Sequence, residues 1–402
     1  MKKNIFKLKK EQLKEISLDL QSKIETGLCN ENTEIQCIPT FIQPSKCGVE
    51  GKATVLDLGG TNYRAAVVEI SAGRATITPE NGWSKDLSVM KTPGFTQEHL
   101  FEEQAKFVEE IELADKSPIG YCFSYPAECL VDGDAKLLRW TKGVDIKEMV
   151  GQPVGKPLVE YLNGLKKAEF TDVKVINDTV ASLFAGLSDS SYDAYIGLIV
   201  GTGTNMAGFV NAESIKKLDS ATAWSGLLPV NLESGNFFPP HLTEYDNIVD
   251  AASGTAGAQR FEKAVSGMYL GRVFRAVFPK DGFDENFDAK ALTNIINHPD
   301  DFKKRHVRVA RWIYKRSAKL VAASLAGLVL VILSQDETVK RIRLTAEGSL
   351  FWSKVRHCKE YNKLVSKHLD ILLEEFGHKK VKVEIAEMKN ANLIGSAVAA
   401  LS

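Results

Sequence analysis

Two short segments constrain this chain more than any others. They are Asp57-Leu58-Gly59-Gly60-Thr61-Asn62 and Gly201-Thr202-Gly203-Thr204-Asn205. Each sits between two apolar runs. Residues 53–58 and 63–70 read as strands around the first, and residues 195–200 and 205–210 as strands around the second. Two strand–turn–strand units with the same glycine and threonine chemistry suggest a duplicated architecture. At 402 residues the chain is also too long for one ordinary core. Helical patterns alternate with the remaining strands, which implies an α/β fold.

Glycine turns of this kind let a ligand approach the backbone, and their N–H groups can hold phosphate oxygens. In the first turn Gly59 and Gly60 supply the backbone, and the Thr61 hydroxyl adds a donor. Asp57 can hold a water of a phosphate-bound Mg²⁺. No Gly-Lys-Ser/Thr follows, so this is not a Walker A loop. An ordinary hairpin accounts for either turn alone; together they can grip a triphosphate from two sides. Asn177-Asp178 ends an apolar strand and precedes a helix, where α/β proteins place ligands. Asp178 is either a general base for a hydroxyl or the cap of the helix beginning at residue 179. Ser124, Thr141 and Lys142 offer hydrogen bonds suited to a polyol, or are solvated loop residues.

The remaining elements read as follows. Residues 6–28 form an amphipathic helix and 30–51 a loop. Residues 99–113 are helical, 120–123 and 173–176 are strands, and 179–187 begin a helix. The chain after 250 is mainly helical, with a helical region at 302–334, a late strand at 381–386 and a small-residue helix at 391–401. The longest uncharged apolar run, 320–335, is shorter than the ~20 residues of a bilayer span. No apolar segment follows the basic N-terminus, so the chain reads as cytoplasmic with no membrane partner. Lys plus Arg equals Asp plus Glu, 51 each, which disfavours nucleic acid as a partner. Cys29, Cys37, Cys47, Cys122, Cys129 and Cys358 form no CxxC pair, so they read as free thiols rather than as a zinc site.

Read in order, these segments resemble the hexokinase family, within the superfamily that also holds actin and the heat-shock chaperone ATPases. LDLGGTNYRAAVV (56–68) and VGTGTN (200–205) are similar to its two phosphate motifs. FSYP (123–126) with WTKG (140–143) is similar to its sugar signature, and INDTVASL (176–183) to the segment of its catalytic Asp. NLESGNF (231–237) and GAQRFEKAVSGMYLG (257–271) match the segments of two sugar-binding glutamates. EGSLF (347–351) matches the adenosine motif.

The resemblance implies two actin-like α/β domains around a deep cleft, 1–50 with 178–388 and 51–177 with 389–402. It implies transfer of a phosphoryl group from MgATP to the 6-hydroxyl of glucose or another hexose. Asp178 would be the base, with Lys142 beside it. Ser124, Thr141, Lys142, Asn177, Asn205, Glu233, Gln259 and Glu262 would bind the sugar. Asp57, Gly59, Gly60, Thr61, Asn62, Thr202, Gly203, Gly267, Met268, Gly348 and Ser349 would bind the nucleotide. Mg²⁺ would be held through water near Asp57 and Asp178, with no direct protein ligand. A sugar sensor without turnover and a sugar-independent ATPase are disfavoured by Asp178, Lys142 and the FSYP…WTKG pair. Three positions depart from the family pattern. Ser234-Gly235 stands for Trp-Gly after the first sugar glutamate, Glu347 for Asp in the adenosine motif, and Lys315 for a helical Thr near the nucleotide. The span between Gly271 and Arg305 is also shorter than in animal enzymes.

Overall fold

The computed structural model describes residues 4–44, 49–60, 62–113, 116–218 and 224–402; Cys47 and Thr61 lie outside the described residues. In chain order the strands are β1 (Ile38–Pro39), β2 (Gly51–Leu58), β3 (Asn62–Ser71), β4 (Arg74–Asp86), β5 (Ser117–Phe123), β6 (Ala127–Cys129) and β7 (Ala135–Leu137). Then follow β8 (Phe170–Ile176), β9 (Ala194–Val200), β10 (Thr204–Asn211), β11 (Leu227–Asn231), β12 (Arg341–Glu347) and β13 (Lys382–Glu387).

The duplication expected from the two glycine turns is present as topology. One sheet has the order β4-β3-β2-β5-β8 and the other β1-β11-β10-β9-β12-β13. Each begins with an antiparallel meander, β2-β3-β4 or β9-β10-β11. Each then adds two parallel strands beside the first strand of that meander. Parallel neighbours need crossover connections, which the intervening helices supply.

β2 is buried from Ala53 to Leu58 because both of its faces are covered. Alternation splits it: Leu56 and Leu58 join one core, while Ala53 and Val55 join another beneath two helices. The same alternation turns Asp57 toward those helices, Asp178–Ala185 and Ala391–Ala400. They pack on each other without side-chain spacing. A Cβ on Gly395 would lie 1.9 Å from the Ala181 carbonyl, and β9 comes as close to the first helix, where a Cβ on Gly197 would lie 2.4 Å from the Thr179 carbonyl. Gly395→Ala is therefore expected to destabilise the fold by about 1–3 kcal/mol, as overpacking does. Urea unfolding of the variant checks this, and an unchanged midpoint would contradict the close packing.

Several boundaries differ from the sequence reading. The N-terminal helix begins at Lys10, and Phe6 and Leu8 are buried in the segment before it. The helix expected at 99–113 is divided into Gln97–Ala105 and Phe107–Glu110. β4, β11 and β12 carry no long apolar run and were not anticipated. β4 is mostly exposed and polar, and β11 contains Pro229, which weakens a strand signal. The long helix Lys304–Gln335 has 32 residues and includes one window apolar enough to cross a membrane, 89% of it buried inside the protein. It packs on the Lys10–Cys29 helix, where Gly327 comes so close that a Cβ would meet the Ser17 carbonyl at 2.6 Å.

Candidate active site

The carboxyl ends of β2, β5 and β8 in one sheet and of β9 and β12 in the other converge on a group of polar residues. Asp57 ends β2 beside Leu58, Ser124 follows β5, and Asn177-Asp178 follow β8. The Asn177 side-chain oxygen accepts from the Thr179 N–H at 2.9 Å. The helix cap is thus Asn177, and Asp178 is the first helical residue, free of the capping duty that was its alternative reading. Burial pushes the Asp178 carboxyl above its usual range, Lys142 opposes this, and Asp57 adds to it.

Lys142 is positioned by its backbone, at φ 58, and by two contacts. Its ammonium donates to the Ser124 carbonyl at 2.7 Å and lies 4.9 Å from the Tyr125 ring centroid. The Lys142 stem crosses the first glycine turn, since a Cβ on Gly60 would lie 2.8 Å from Lys142 Cδ. The Tyr125 hydroxyl donates to the Gly59 carbonyl at 2.9 Å. The Ser124–Tyr125 segment, the Thr141–Lys142 loop and the first turn therefore form one unit.

The two glutamates reach the same place from the second sheet. Glu233 sits at φ 53 and accepts from the Asn231 side chain at 2.7 Å. Asn205, on β10, donates to Asn231 at 2.8 Å and accepts from the Ser234 N–H at 3.1 Å. Glu262 accepts from the Thr204 N–H at 3.2 Å. A Cβ on Gly203 would lie 2.5 Å from Glu262 Oε2, so only glycine fits there without displacing the carboxylate. Burial raises the Glu233 carboxyl, with Asp178 adding to it. Burial also raises Glu262, with Glu233 adding and Lys142 opposing. These influences tie Asp178, Lys142, Glu233 and Glu262 into one electrostatic cluster. Gln259, at φ 51, is exposed at the start of the Arg260–Val265 helix.

The expected nucleotide residues lie around the second turn. The Gly267 N–H donates to the Gly201 carbonyl at 2.7 Å, and the Met268 N–H to the Thr202 carbonyl at 3.2 Å. A Cβ on Gly348 would lie 2.2 Å from the Val200 carbonyl. Met268, Thr202 and Ser349 are exposed beside this seam. In the first turn the Gly59 N–H donates to the Asn62 carbonyl at 2.9 Å.

Models of the hexokinase family match residues 2–187 and, for a second model, 195–306 together with 285–402. The chain belongs to the hexokinase family. Human Hexokinase-2 is 28% identical over 410 residues, covering 90% of this chain and 44% of that protein. Human Hexokinase HKDC1 is 32% identical over 286 residues, covering 68% of this chain and 31% of that protein. The chain thus spans less than half the length of these curated relatives. A Schistosoma mansoni hexokinase structure superposes with a TM-score of 0.79 at 24% identity, covering 99% of this chain and 96% of that one. The fold is accordingly the two-domain, actin-like α/β fold of hexokinases.

The departures from the hexokinase pattern now have physical descriptions. Ser234 and Gly235 lie in a buried 3-10 turn, and the Ser234 N–H donates to the Asn205 side-chain oxygen. Lys315 is exposed on the long helix. Glu347, at the end of β12, accepts from the Ser182 hydroxyl, which also approaches the Asp178 carbonyl at 3.2 Å. Burial, with Asp178 and Asp57 nearby, pushes the Glu347 carboxyl up to about 7.

A carboxyl raised in the folded state binds its proton more tightly than in the unfolded chain. Its contribution is present in full below the unfolded value of 4.5 and is lost as pH rises through about 7. Glu347→Gln keeps the shape and removes the charge. Its stability relative to the parent is therefore expected to improve by ~1–3 kcal/mol between pH 5 and pH 8. Urea melts at the two pH values measure this, and a constant difference would contradict it.

Among the described residues, Lys142 opposes the charge of Asp178 and Arg64 that of Glu347, in a group of carboxyls that also holds Asp57. Among the described residues no set of three or more His, Cys, Asp or Glu is arranged to ligate a metal. The carboxylate oxygens of Asp57 and Asp178 fit a hydrated divalent cation. Sequence reasoning missed Arg64, which donates to Asp57 at 2.6 and 3.1 Å. Hairpin register would have found it, since Asp57 pairs directly with Arg64 across β2 and β3. Asn392, 3.4 Å from Asp57, and Ser182 carry no local signal, because both reach the site only through helix packing.

Proposed function

We propose that this hexokinase-family chain phosphorylates the 6-hydroxyl of a hexose, glucose by preference, using MgATP, as in the first step of hexose breakdown. The observation that carries this reading is the placement of Asp178. It is a half-buried carboxylate at a helix start, electrostatically coupled to Lys142 and to two half-buried glutamates, between two glycine turns. The Schistosoma mansoni hexokinase that shares the fold is described as complexed with glucose.

On this reading the sugar lies against Ser124, Thr141, Lys142, Asn177, Asn205, Glu233 and Glu262. Carboxylates accept bonds from several hydroxyls at once, which suits a polyol. Gln259 lies at the edge of this set. Asp178 takes the proton of the 6-hydroxyl, the freed oxygen attacks the γ-phosphorus, and ADP leaves. The N–H groups of the two turns and Lys142 hold charge on the moving phosphoryl group. Mg²⁺ would supply charge neutralisation at the phosphates, held through water near Asp57 and Asp178. Gly267, Met268, Gly348 and Ser349 border the adenosine. The domain division 1–50 with 178–388 and 51–177 with 389–402 belongs to the same reading, and the separate cores around the two sheets favour it. So does a cytoplasmic setting, where ATP and hexoses meet.

The test is ADP release on mixing the folded chain with MgATP and a panel of glucose, mannose and fructose. Sugar-dependent release, greatest with glucose, is the expected result. Sugar-independent release, or none, would overturn the reading.

A further inference from the structure

Well apart in sequence, a second group of charged residues meets; of these only Lys315, which stands where the family pattern has a Thr near the nucleotide, borders the site above. Arg311, Lys315 and Lys319 are spaced four residues apart along the helix Lys304–Gln335. Lys359 precedes the helix Tyr361–Glu375, which carries Lys367 and His368, and Lys7 precedes the helix Lys10–Cys29. The three elements touch here. Ser317 and Tyr361 share a hydroxyl hydrogen bond of 2.6 Å, and Lys319 Nζ donates to the Leu8 carbonyl at 3.4 Å.

The group has no internal neutralisation. Lys10 and Lys363 nearby are paired with Glu375 and Glu360. Among the described residues Lys7, Lys315, Lys319, Lys359 and Lys367 have no carboxylate within ion-pair distance. Lys7, Lys315, Lys359 and Lys367 are exposed around a half-buried Lys319 and His368. Burial, together with Lys7, Lys315 and Lys367, pushes the Lys319 amine down. Burial, together with Lys319, Lys367 and Lys359, holds the His368 imidazole at about 4. Arg311 Nε is buried without a hydrogen-bond partner. Like charges one helical turn apart destabilise the helix that bears them. In a chain of zero net charge, such concentration of one sign leaves a local potential that an anion would neutralise.

We propose that Lys7, Lys315, Lys319, Lys359, Lys367 and Arg311 form a binding site for a small oligophosphate anion, separate from the two glycine turns. Phosphate suits the donors, because ammonium groups act as point charges on a flexible stem and can surround tetrahedral oxygens. A small anion suits the arrangement, since Lys319 and His368 are half-buried among the exposed lysines. Asp370, beside Lys359, Lys363 and Lys367, further limits the positive area. The proposal does not depend on the kinase reading, because its primary readout is binding.

Inorganic tripolyphosphate is the probe, titrated calorimetrically into the full chain at low salt with glucose and a non-hydrolysable ATP analogue present in excess. One bound anion per chain is expected, with the His368 imidazole titrating at higher pH by NMR once it is bound. Lys319→Ala should weaken binding by about tenfold or more, the scale of one charge contact largely screened by water. The surface double variant Lys315→Glu with Lys367→Glu should weaken it at least as much. The double variant changes only exposed side chains, so it keeps the test decisive if Lys319→Ala fails to fold. Displacement by the ATP analogue, unchanged affinity in the double variant, or binding only to vesicles bearing phosphoinositides would each overturn the proposal.

Discussion

Asp178→Asn is expected to lower kcat by about 10²–10⁴-fold, the range for loss of a positioned general base, while hexose binding is retained. The substitution is nearly isosteric. The helix should still form, because its cap is the neighbouring Asn177, whose side chain holds the Thr179 N–H. On the proposed reading, what disappears is the proton acceptor. Burial raises the Asp178 carboxyl above its usual range while Lys142 restrains that rise, which makes it a stronger base than a solvated carboxylate. In the parent, kcat/KM should therefore fall on acidification as Asp178 is protonated, and this limb should vanish from the residual activity of the variant. Equilibrium binding of glucose, followed by intrinsic fluorescence, separates the two roles. Near-normal turnover would refute the base assignment, and lost sugar binding would make Asp178 chiefly a binding group.

The largest expected effect on stability lies away from the site. Asp246 and Arg316 are both buried and joined by two contacts, at 2.5 and 2.7 Å. Asp246 also holds the N–H and hydroxyl of Thr243, each at 2.7 Å, at the start of the helix Glu244–Ala251. Burial alone would raise the Asp246 carboxyl, but Arg316 and Thr243 outweigh it and leave it below the usual range. Asp246→Ala leaves a buried guanidinium with the Ala264 carbonyl, at 3.3 Å, and the Phe6 ring, 5.0 Å from its centroid. Removal of one partner from such a pair costs ~3–5 kcal/mol. Urea unfolding at pH 7 measures the loss, and less than ~1 kcal/mol would show that water reaches Arg316. Because the folded carboxyl is depressed, the pair contributes above the unfolded value of 3.8 and is lost as pH falls below it. Parent and variant should thus converge in stability on acidification. Asp246→Ala combined with Arg316→Met should recover part of the loss, since an apolar pair of similar volume removes the stranded charge.

Sequence resolved some of this structure well, and for local reasons. Both hairpins were legible because an apolar run, a glycine turn and a second apolar run are contiguous. Their shared chemistry anticipated two sheets of the same strand order. β4 was invisible because its side chains are largely solvated. The role of Asp178 was ambiguous for the same kind of reason, since Asn and Asp are both good caps and stand side by side. Only backbone geometry separated them.

The sequence by itself determined which residues are candidates for the chemistry and the order in which they occur. Glycine turns, an acid after a strand and a Ser-Thr-Lys set have meanings that depend on near neighbours. It also determined the family. Tertiary structure alone decided which charges face one another. Arg64 reaches Asp57 through hairpin register, Ser182 joins Glu347 to the start of the Asp178 helix, and Gly203 stays small because Glu262 lies behind it. The cationic corner likewise draws on three elements distant in the chain. Burial and opposed charge arise only when distant segments pack, and they set how firmly each carboxyl holds its proton. The two glycine turns are thus a property of the sequence, and the electrostatic setting of Asp178 between them is a property of the fold.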